Sequence, residues 1–271
     1  DLAQRSAPGH PGLRAAEALR DGGFPGRITL VGQEPHRPYN RPPLSKQVLA
    51  GKASSRPFPA DDLAVDWQLG TAAITLDPGA RTVGLDDGRT LDYEALVIAT
   101  GSRAAGWPGP MPATGVHTLR SLDDVQGLDR ELAPDTRVVI AGAGFLGSEA
   151  ACSLRTRGVR EVHLVGRSAL PLPALGTAIG ERVAARHRAH GVQLHLGTTV
   201  DAIGGTDRVH TVLLGDGTRV EADVVLCALG GAPNTGWLVA TGLTFHQGRV
   251  LCEADCTAVG IDGIVAAGDV A

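Results

Sequence analysis

Residues 136–158 constrain the fold of this chain more than any other segment, because three glycines there join a short apolar run to a helix-like segment. Gly142, Gly144 and Gly147 have the G-x-G-x-x-G spacing of a dinucleotide-binding turn. In such a turn the first glycine permits the tight bend, the second lets a pyrophosphate approach the backbone, and the third lets the helix pack closely. A further strand at 161–166 completes a βαβ unit, so we predict binding of a nicotinamide or flavin nucleotide, with its phosphates at the helix N terminus.

The end of that second strand indicates which nicotinamide nucleotide is used. A carboxylate there would bind the 2′-hydroxyl of NAD, whereas a nearby arginine would suit the 2′-phosphate of NADP. The chain has Gly166 followed by Arg167, with no acid, which favours NADPH over NADH. The alternative is that Arg167 is a solvated surface residue.

Short β-branched runs alternate with helix-like segments along the rest of the chain, as in a parallel sheet with helices on both faces. The 37 glycines and the 43% hydrophobic content suit an α/β protein with many tight strand-to-helix turns. We therefore predict an α/β fold. Strands are expected at 28–31, 91–100, 138–141, 162–165, 192–196, 209–214, 220–228 and 264–267.

The first βα unit departs from the dinucleotide pattern. Ala7 stands at the first glycine position, followed by Gly9 and Gly12, and residues 1–6 are not the apolar strand that should precede them. The next strand nevertheless ends at Glu34, a carboxylate where a nucleotide ribose would need one. These residues fit a nucleotide site and ordinary βα packing about equally well.

Composition excludes several other classes of function. The net charge is −4 with both signs interspersed, and no basic stripe carries aromatic residues, which argues against nucleic acid as a partner. No apolar run approaches the length of a membrane span, and no signal peptide is recognisable, so a cytoplasmic location is expected. Cys152 and Cys227 lie in apolar stretches and are expected to be buried, and the cysteine spacing predicts neither a metal site nor a redox dithiol.

Five segments in order resemble the FAD-dependent ferredoxin reductases of bacterial oxygenase and P450 systems, relatives of rubredoxin reductase and apoptosis-inducing factor. The resemblance implies two Rossmann-like nucleotide-binding domains, one inserted in the other. FAD would bind residues 1–111 plus 236–271, and NAD(P) would bind 112–235. The segments are ITLVGQEPHRPYNRPPLSK (28–46), LVIATGSR (96–103), VVIAGAGFLGSEAA (138–151), ALGGAPNT (228–235) and VLCEADCTAVGIDGIVAAGDVA (250–271).

The resemblance also implies roles for individual residues. Those expected to bind FAD are Gly9, Gly12, Glu34, Arg41, Lys46, Ala73 through its backbone, Thr100, Gly101, Arg103 and Asp269. Those expected to bind NAD(P) are Gly142, Gly144, Gly147, Arg167 and Gly230.

Lys46 and Glu149 are expected to be a catalytic pair beside the flavin. An ammonium near the flavin would stabilise the reduced, anionic form, and the carboxylate would keep the lysine charged and oriented. The alternative is a surface lysine and a glutamate that interacts with the helix dipole.

The predicted activity is transfer of a hydride from NAD(P)H to FAD, followed by electron transfer to a small iron–sulfur protein of the ferredoxin type. A homodimer is compatible with this activity. Two departures leave an alternative open: the first strand of the FAD fingerprint and the family's C-terminal domain are not found. Either the sequence is a fragment of a longer enzyme, or it is a non-catalytic NAD(P)-binding or scaffold relative with weakened FAD binding. A disulfide or peroxide reductase is a third hypothesis, although the absence of a C-x-x-C pair argues against its disulfide branch.

Overall fold

The computed structural model describes residues 10–60 and 62–271, so the predicted role of Gly9 lies outside the described residues. No helix in these two ranges is long and apolar enough to cross a membrane. The α-helices are α1 (Pro11–Asp21), α2 (Leu122–Asp129), α3 (Phe145–Arg157) and α4 (Thr177–Ala189), with a π-helical turn at Leu44–Val48 and 3₁₀ turns at Pro173–Leu175 and Gly236–Leu238.

The strands are short and are numbered in chain order. They are β1 (Thr29–Gly32), β2 (Asp66–Leu69), β3 (Ala73–Asp77), β4 (Thr82–Leu85), β5 (Thr90–Asp92), β6 (Leu96–Ile98), β7 (Ser102–Ala104), β8 (Val116–His117), β9 (Arg137–Ala141), β10 (Glu161–Gly166), β11 (Val192–Leu196), β12 (Val200–Gly204), β13 (Thr211–Leu214), β14 (Arg219–Glu221), β15 (Val224–Cys227), β16 (Gly231–Pro233), β17 (Phe245–His246), β18 (Arg249–Val250) and β19 (Ile264–Ala266).

The chain separates into two compact units. The first contains the described residues of Asp1–Asn40, Arg56–Arg103 and Ala232–Ala271, and the second contains Arg41–Ser55 and Ala104–Gly231.

These borders differ in detail from the predicted domains. The chain enters the long part of the second unit after Arg103 and leaves it after Gly231, somewhat before the predicted borders after residues 111 and 235. Residues 41–55 also group with the second unit, whereas the resemblance placed them in the FAD domain. Which nucleotide each unit binds remains a prediction.

The second unit is built on a parallel sheet with strand order β11-β10-β9-β15-β8. Strand β9 carries the apolar run from Val138 to Ala141, in which no residue exceeds 2% exposure. Such a continuous apolar run suits a central parallel strand that is covered on both faces. Helix α3 connects β9 to β10 and helix α4 connects β10 to β11, which confirms the predicted βαβ order.

An antiparallel sheet of β12, β13 and β14 packs in the second unit on a core shared with the parallel sheet. Val139 and Val165 of the parallel sheet join this core, together with Val212 and Leu214 of β13. The predicted strand 220–228 is divided here into β14 and β15.

The first unit contains small sheets around its own core. Strands β1 and β2 form a parallel pair, as do β6 and β19, and β3 to β5 form an antiparallel sheet. Helix α1 packs closely on this region at Gly12, where an added Cβ would lie 3.5 Å from the Ala99 Cβ and 3.8 Å from the Leu30 Cδ2. Both distances are ordinary van der Waals contacts, so the packing at this point does not require glycine.

The four cysteines are all free thiols, but one prediction about them is wrong. Cys227 on β15 is buried as expected, and burial raises the pKa of its thiol to about 11. Cys152 is exposed, because the buried positions of α3 beside it are Ala150, Ala151 and Leu154. The apolar run at Cys152 therefore belongs to a helix with one face exposed to solvent, and this thiol lies on that face.

A bidentate ion pair fixes the start of β9. The Arg137 guanidinium donates to both carboxylate oxygens of Asp223, at 2.9 and 3.0 Å, and the Arg137 backbone nitrogen donates to the same carboxylate at 2.9 Å. This hydrogen bonding holds the pKa of Asp223 below its usual value. Arg137 also pairs with Glu221, whose side chain is 80% exposed.

We expect Asp223→Asn to lower the stability of the second unit by about 1–2 kcal/mol, because charge-assisted hydrogen bonds are lost from a partly buried pair. A depressed pKa contributes stability above the unfolded pKa and loses it as the pH falls through the folded pKa. The difference in the free energy of unfolding between Asp223→Asn and the wild type should therefore become smaller below about pH 4. Urea unfolding at several pH values measures this free energy.

Glu221→Gln is the matched control, since it removes a carboxylate from the same arginine at an exposed position and should change stability little. Equal decreases in the free energy of unfolding for Asp223→Asn and Glu221→Gln would contradict the role assigned to Asp223.

Candidate functional site

The glycine turn between β9 and α3 is shaped by backbone constraints. Gly142 has φ +117°, in the region that favours glycine, and its nitrogen donates to the Val165 carbonyl at 2.8 Å. A Cβ on Gly142 would lie 2.3 Å from the Ala228 carbonyl oxygen. The first glycine of the motif is therefore required by both conformation and space.

The other two glycines of the turn have different physical roles. A Cβ on Gly147 would lie 1.8 Å from the Gly142 carbonyl oxygen, so α3 can approach the turn only with glycine there. Gly144 precedes the first residue of α3, has φ −78°, and has open space where its Cβ would be. Its half-buried backbone, at the N terminus of a 13-residue helix, is suited to an anionic pyrophosphate.

The remaining residues predicted to bind NAD(P) follow neighbouring strands at the same edge of the sheet. Arg167 is exposed and follows β10 directly. Gly230 follows β15 with φ +102°, and its carbonyl accepts a hydrogen bond from the Ala105 nitrogen at 2.9 Å. Since β9, β10 and β15 are parallel, their carboxyl ends meet at one edge, which is where α/β sheets bind nucleotides.

The structure brings Lys46 and Glu149 together within the second unit. The Lys46 Nζ lies 2.7 Å from the Glu149 Oε2, and the Ser45 hydroxyl donates to the same oxygen at 2.6 Å. The Lys46 Nζ also donates to the Pro42 carbonyl at 3.1 Å. The two side chains are 43% and 33% exposed, so the ammonium is fixed while remaining accessible.

The segment that carries Lys46 is fastened to helix α3 by further hydrogen bonds. The buried Ser153 hydroxyl donates to the Ser45 carbonyl at 2.7 Å. Lys46 itself has φ −115° and ψ −105°, a break from helical geometry inside the π-helical turn. Arg41 of the same segment donates to the Arg120 carbonyl at 3.1 Å.

In the first unit, the residues after β6 meet the segment near Asn234. The Thr100 hydroxyl donates to the Asn234 carbonyl, and the Asn234 amide donates back to the Thr100 carbonyl, both at 2.9 Å. Gly101 has φ +63° and accepts a hydrogen bond from the Asn234 nitrogen. Arg103 donates to the Pro233 carbonyl at 3.1 Å. These contacts fix the path of the chain directly after β6.

Asp269 is an exposed carboxylate held by a neighbour. The Ser102 hydroxyl donates to its Oδ2 at 2.9 Å, which orients the carboxylate. Glu34 follows β1 and accepts a hydrogen bond from the Tyr39 hydroxyl. Ala73 begins β3 and pairs with Leu85. The carboxylates of Asp269 and Glu34 are of the chemical type that binds sugar hydroxyls.

The residues expected to bind FAD are thus divided between the units. Gly12, Glu34, Ala73, Thr100, Gly101, Arg103 and Asp269 belong to the first, whereas Arg41 and Lys46 belong to the second. Their roles toward FAD remain predictions.

Sequence reasoning missed several polar partners. Ser45 and Asn234 lie inside segments that carried the resemblance, yet no pattern indicated that their side chains would bind Glu149 and Thr100. Ser102 likewise reaches Asp269 over a long sequence separation. Only the folded chain identifies such long-range partners.

Residues 8–271 match the model of the family described as pyridine nucleotide-disulphide oxidoreductase. The chain is 40% identical over 270 residues to the ferredoxin reductase component of chlorobenzene dioxygenase from Cupriavidus sp. (strain PS12), covering 97% of this chain and 65% of that protein. It is 36% identical over 270 residues to the ferredoxin–NAD(+) reductase subunit of the benzene 1,2-dioxygenase system from Pseudomonas putida, with the same coverage.

Among solved structures, putidaredoxin reductase in its covalent complex with putidaredoxin matches with a TM-score of 0.87 and 30% identity, over 95% of this chain and 64% of that chain. The chain therefore spans just under two thirds of the length of these relatives. The matches confirm the resemblance and the Rossmann-like α/β fold, and FAD with NAD(P)H, the predicted cofactors, are those of this group of reductases.

The glycine turn yields a paired prediction. Gly144→Ala should fold with an unchanged melting temperature, because its Cβ enters open space, but the methyl should keep a pyrophosphate from the backbone. The loss of one charge-assisted hydrogen bond should weaken the binding of NADP⁺ to Gly144→Ala about tenfold or more. Isothermal titration calorimetry measures this affinity.

Gly147→Ala is the counterpart, since its methyl would collide with the Gly142 carbonyl and lower the melting temperature. Wild-type NADP⁺ affinity in Gly144→Ala would contradict the pyrophosphate role of that glycine.

Proposed function

Because the chain belongs to the pyridine nucleotide-disulphide oxidoreductase family, we propose that it is the nucleotide-binding part of a ferredoxin reductase. In this proposal a hydride passes from NAD(P)H to FAD, and single electrons then pass to a small iron–sulfur protein. The observation that carries the proposal is the fixed Lys46–Glu149 pair in the same unit as the dinucleotide turn. The names of the relatives, which are ferredoxin reductases, support it.

On the nicotinamide side, the chain's own groups position the nucleotide. The pyrophosphate would lie at the N terminus of α3, where Gly144 leaves the backbone open. The adenosine ribose would lie near Arg167, which follows β10. A guanidinium can bind a 2′-phosphate in a bidentate manner, and this supports NADPH as the reductant.

On the flavin side, the first unit offers the groups that such a cofactor needs. FAD, when bound, accepts a hydride and releases electrons one at a time. Asp269, oriented by Ser102, is suited to the ribitol hydroxyls, and Glu34 to a ribose hydroxyl. Helix α1 begins with Pro11, and no side chain of the described residues caps it, so its N terminus is suited to a phosphate.

The role proposed for Lys46 is electrostatic. Glu149, whose carboxylate is itself held by Ser45, keeps the ammonium in one place. A fixed positive charge would stabilise negative charge that develops on a reduced cofactor. Glu149 is a positioning residue in this proposal because it acts through the lysine.

A disulfide substrate has less support than a ferredoxin-type acceptor. Cys252 and Cys256 are four residues apart, and burial raises the pKa of the Cys252 thiol, which disfavours the reactive thiolate. The relatives also favour a reductase over a non-catalytic scaffold. NAD(P)H is an intracellular reductant, which supports a cytoplasmic location for the proposed reaction.

The proposed activity predicts a yellow protein whose purified natural form contains about one FAD per chain. Anaerobic NADPH should bleach the flavin absorption, and electrons should reach an added ferredoxin, followed by reduction of cytochrome c. A colourless protein that cannot be reconstituted with FAD and does not oxidise NADPH would contradict the proposal.

Lys46→Gln should slow NAD(P)H-driven flavin reduction about tenfold or more while flavin content is retained, because the fixed positive charge is removed. Stopped-flow absorbance of a single turnover measures the rate. Lys52→Gln, which removes the same charge at an exposed position of the same segment, is the matched control and should reduce at the wild-type rate. Equal rates in both variants and the wild type would remove Lys46 from the proposed site.

A further inference from the structure

Ser153, on helix α3, binds the backbone of the segment that carries Lys46. Its side chain is buried, and its hydroxyl donates to the Ser45 carbonyl at 2.7 Å across a sequence separation of 108 residues. A serine inside a helix commonly points to solvent or donates to the carbonyl four residues before it. The Ser153 hydroxyl instead holds a distant part of the chain.

The Ser45 carbonyl needs this donor because the backbone hydrogen bonds of the π-helical turn bypass it. A helical carbonyl accepts from the nitrogen three, four or five residues later. The three nitrogens in those places donate to other carbonyls: Val48 to Pro43, Leu49 to Leu44 and Ala50 to Lys46, at 3.0, 3.1 and 2.8 Å. Since Ser45 is a buried residue, its carbonyl would be left poorly satisfied without the Ser153 hydroxyl.

One face of α3 therefore fixes Ser45 at two points. Glu149 and Ser153 are four residues apart and lie on the same side of the helix. The Glu149 Oε2 accepts from the Ser45 hydroxyl at 2.6 Å, and the Ser153 hydroxyl donates to the Ser45 carbonyl. One contact holds the side chain and the other holds the backbone, so together they orient the residue directly before Lys46.

The far end of the segment is attached to α3 by other contacts. Leu49 is fully buried, and its carbonyl accepts a hydrogen bond from Arg157 at 3.4 Å. Removal of the Ser153 hydroxyl should therefore change the turn at Ser45 without detaching the segment. The simplest rearrangement gives the Leu49 nitrogen to the Ser45 carbonyl, as in a regular α-helix, and this would change the backbone angles of Lys46.

We propose that Ser153 is a positioning residue for Lys46: by supplying the missing donor to the Ser45 carbonyl, it holds the turn in the geometry that places the ammonium on Glu149. The inference rests on the proposed function for its catalytic meaning, because that function places Lys46 beside a bound flavin. The contact between Lys46 and Glu149 can be measured without a flavin reaction, so the two proposals can fail separately.

The chain contains only two lysines, Lys46 and Lys52, so their reactivities can be compared within one protein. The Lys46 Nζ lies 2.7 Å from the Glu149 Oε2, whereas Lys52 is exposed. Trace acetylation of the purified protein with acetic anhydride, followed by mass spectrometry of its peptides, gives the ratio of acetylation at Lys46 to that at Lys52. Hydrogen bonding to the carboxylate protects Lys46 and lowers this ratio.

Ser153→Ala should raise the acetylation ratio about threefold or more, because the ammonium spends less time on Glu149 when one buried hydrogen bond is lost. Alanine is a better helix former than serine, so the variant should fold. The rate of NAD(P)H-driven flavin reduction, measured by stopped-flow absorbance, should fall toward that of Lys46→Gln.

Two further variants separate the hydrogen bond from a general effect on the helix. Ser153→Thr keeps the donor and should stay within about twofold of the wild-type acetylation ratio. Ser148→Ala is the matched control, since Ser148 lies on the same helix with the same 7% exposure. The Ser148 hydroxyl has no hydrogen-bond partner within the described part of the chain, so its removal should leave the ratio unchanged.

Two results would overturn the inference. One is a wild-type acetylation ratio in a folded Ser153→Ala protein. The other is an equal rise of the ratio in Ser153→Ala and Ser148→Ala, which would indicate a general loosening of α3. A raised ratio in Ser153→Ala alone, with wild-type flavin reduction in both Ser153→Ala and Lys46→Gln, would support the positioning of Lys46 and refute the role that the proposed function gives to this lysine.

Discussion

The approach of helix α3 to the turn at Gly142 is the constraint on which the second unit depends. Gly147 allows the helix to lie against the Gly142 carbonyl at a distance that no side chain permits. Because the helix starts there, its N terminus faces the carboxyl edge of the parallel sheet. The same helix then carries Glu149 and Ser153, so one close contact sets both the anion-binding end and the residues that receive the Lys46 segment.

The Lys46 segment shows how a polar network can fix an irregular piece of chain. Glu149 accepts hydrogen bonds from two consecutive residues, Ser45 and Lys46, while Ser153 one turn later binds the Ser45 backbone. A regular α-helix would not bring both side chains to one carboxylate, and the backbone at Lys46 leaves helical geometry. The network explains why residues 41–55 group with the second unit although they follow the first in sequence.

The sequence predicted what depends on local pattern. The glycine turn, the strands from β9 to β11 and the order of helices follow from periodicity and from the spacing of three glycines. Pairing between distant residues could not be predicted in the same way. The sequence did not indicate that Asp223 would bind Arg137. It also did not indicate that residues 220–228 would form two strands in different sheets. The exposure of Cys152 was missed because an apolar neighbourhood does not specify which side of a helix a residue occupies.

The Arg137–Asp223 ion pair also bears on how the second unit could be engineered. It lies at the amino ends of β9 and β15, whereas the glycine turn follows the carboxyl end of β9. Because the two features lie at opposite edges of one sheet, substitutions that strengthen the ion-paired edge should add to substitutions that alter the binding edge without interfering with them. Thermal robustness and nucleotide affinity would then be adjustable as separate properties.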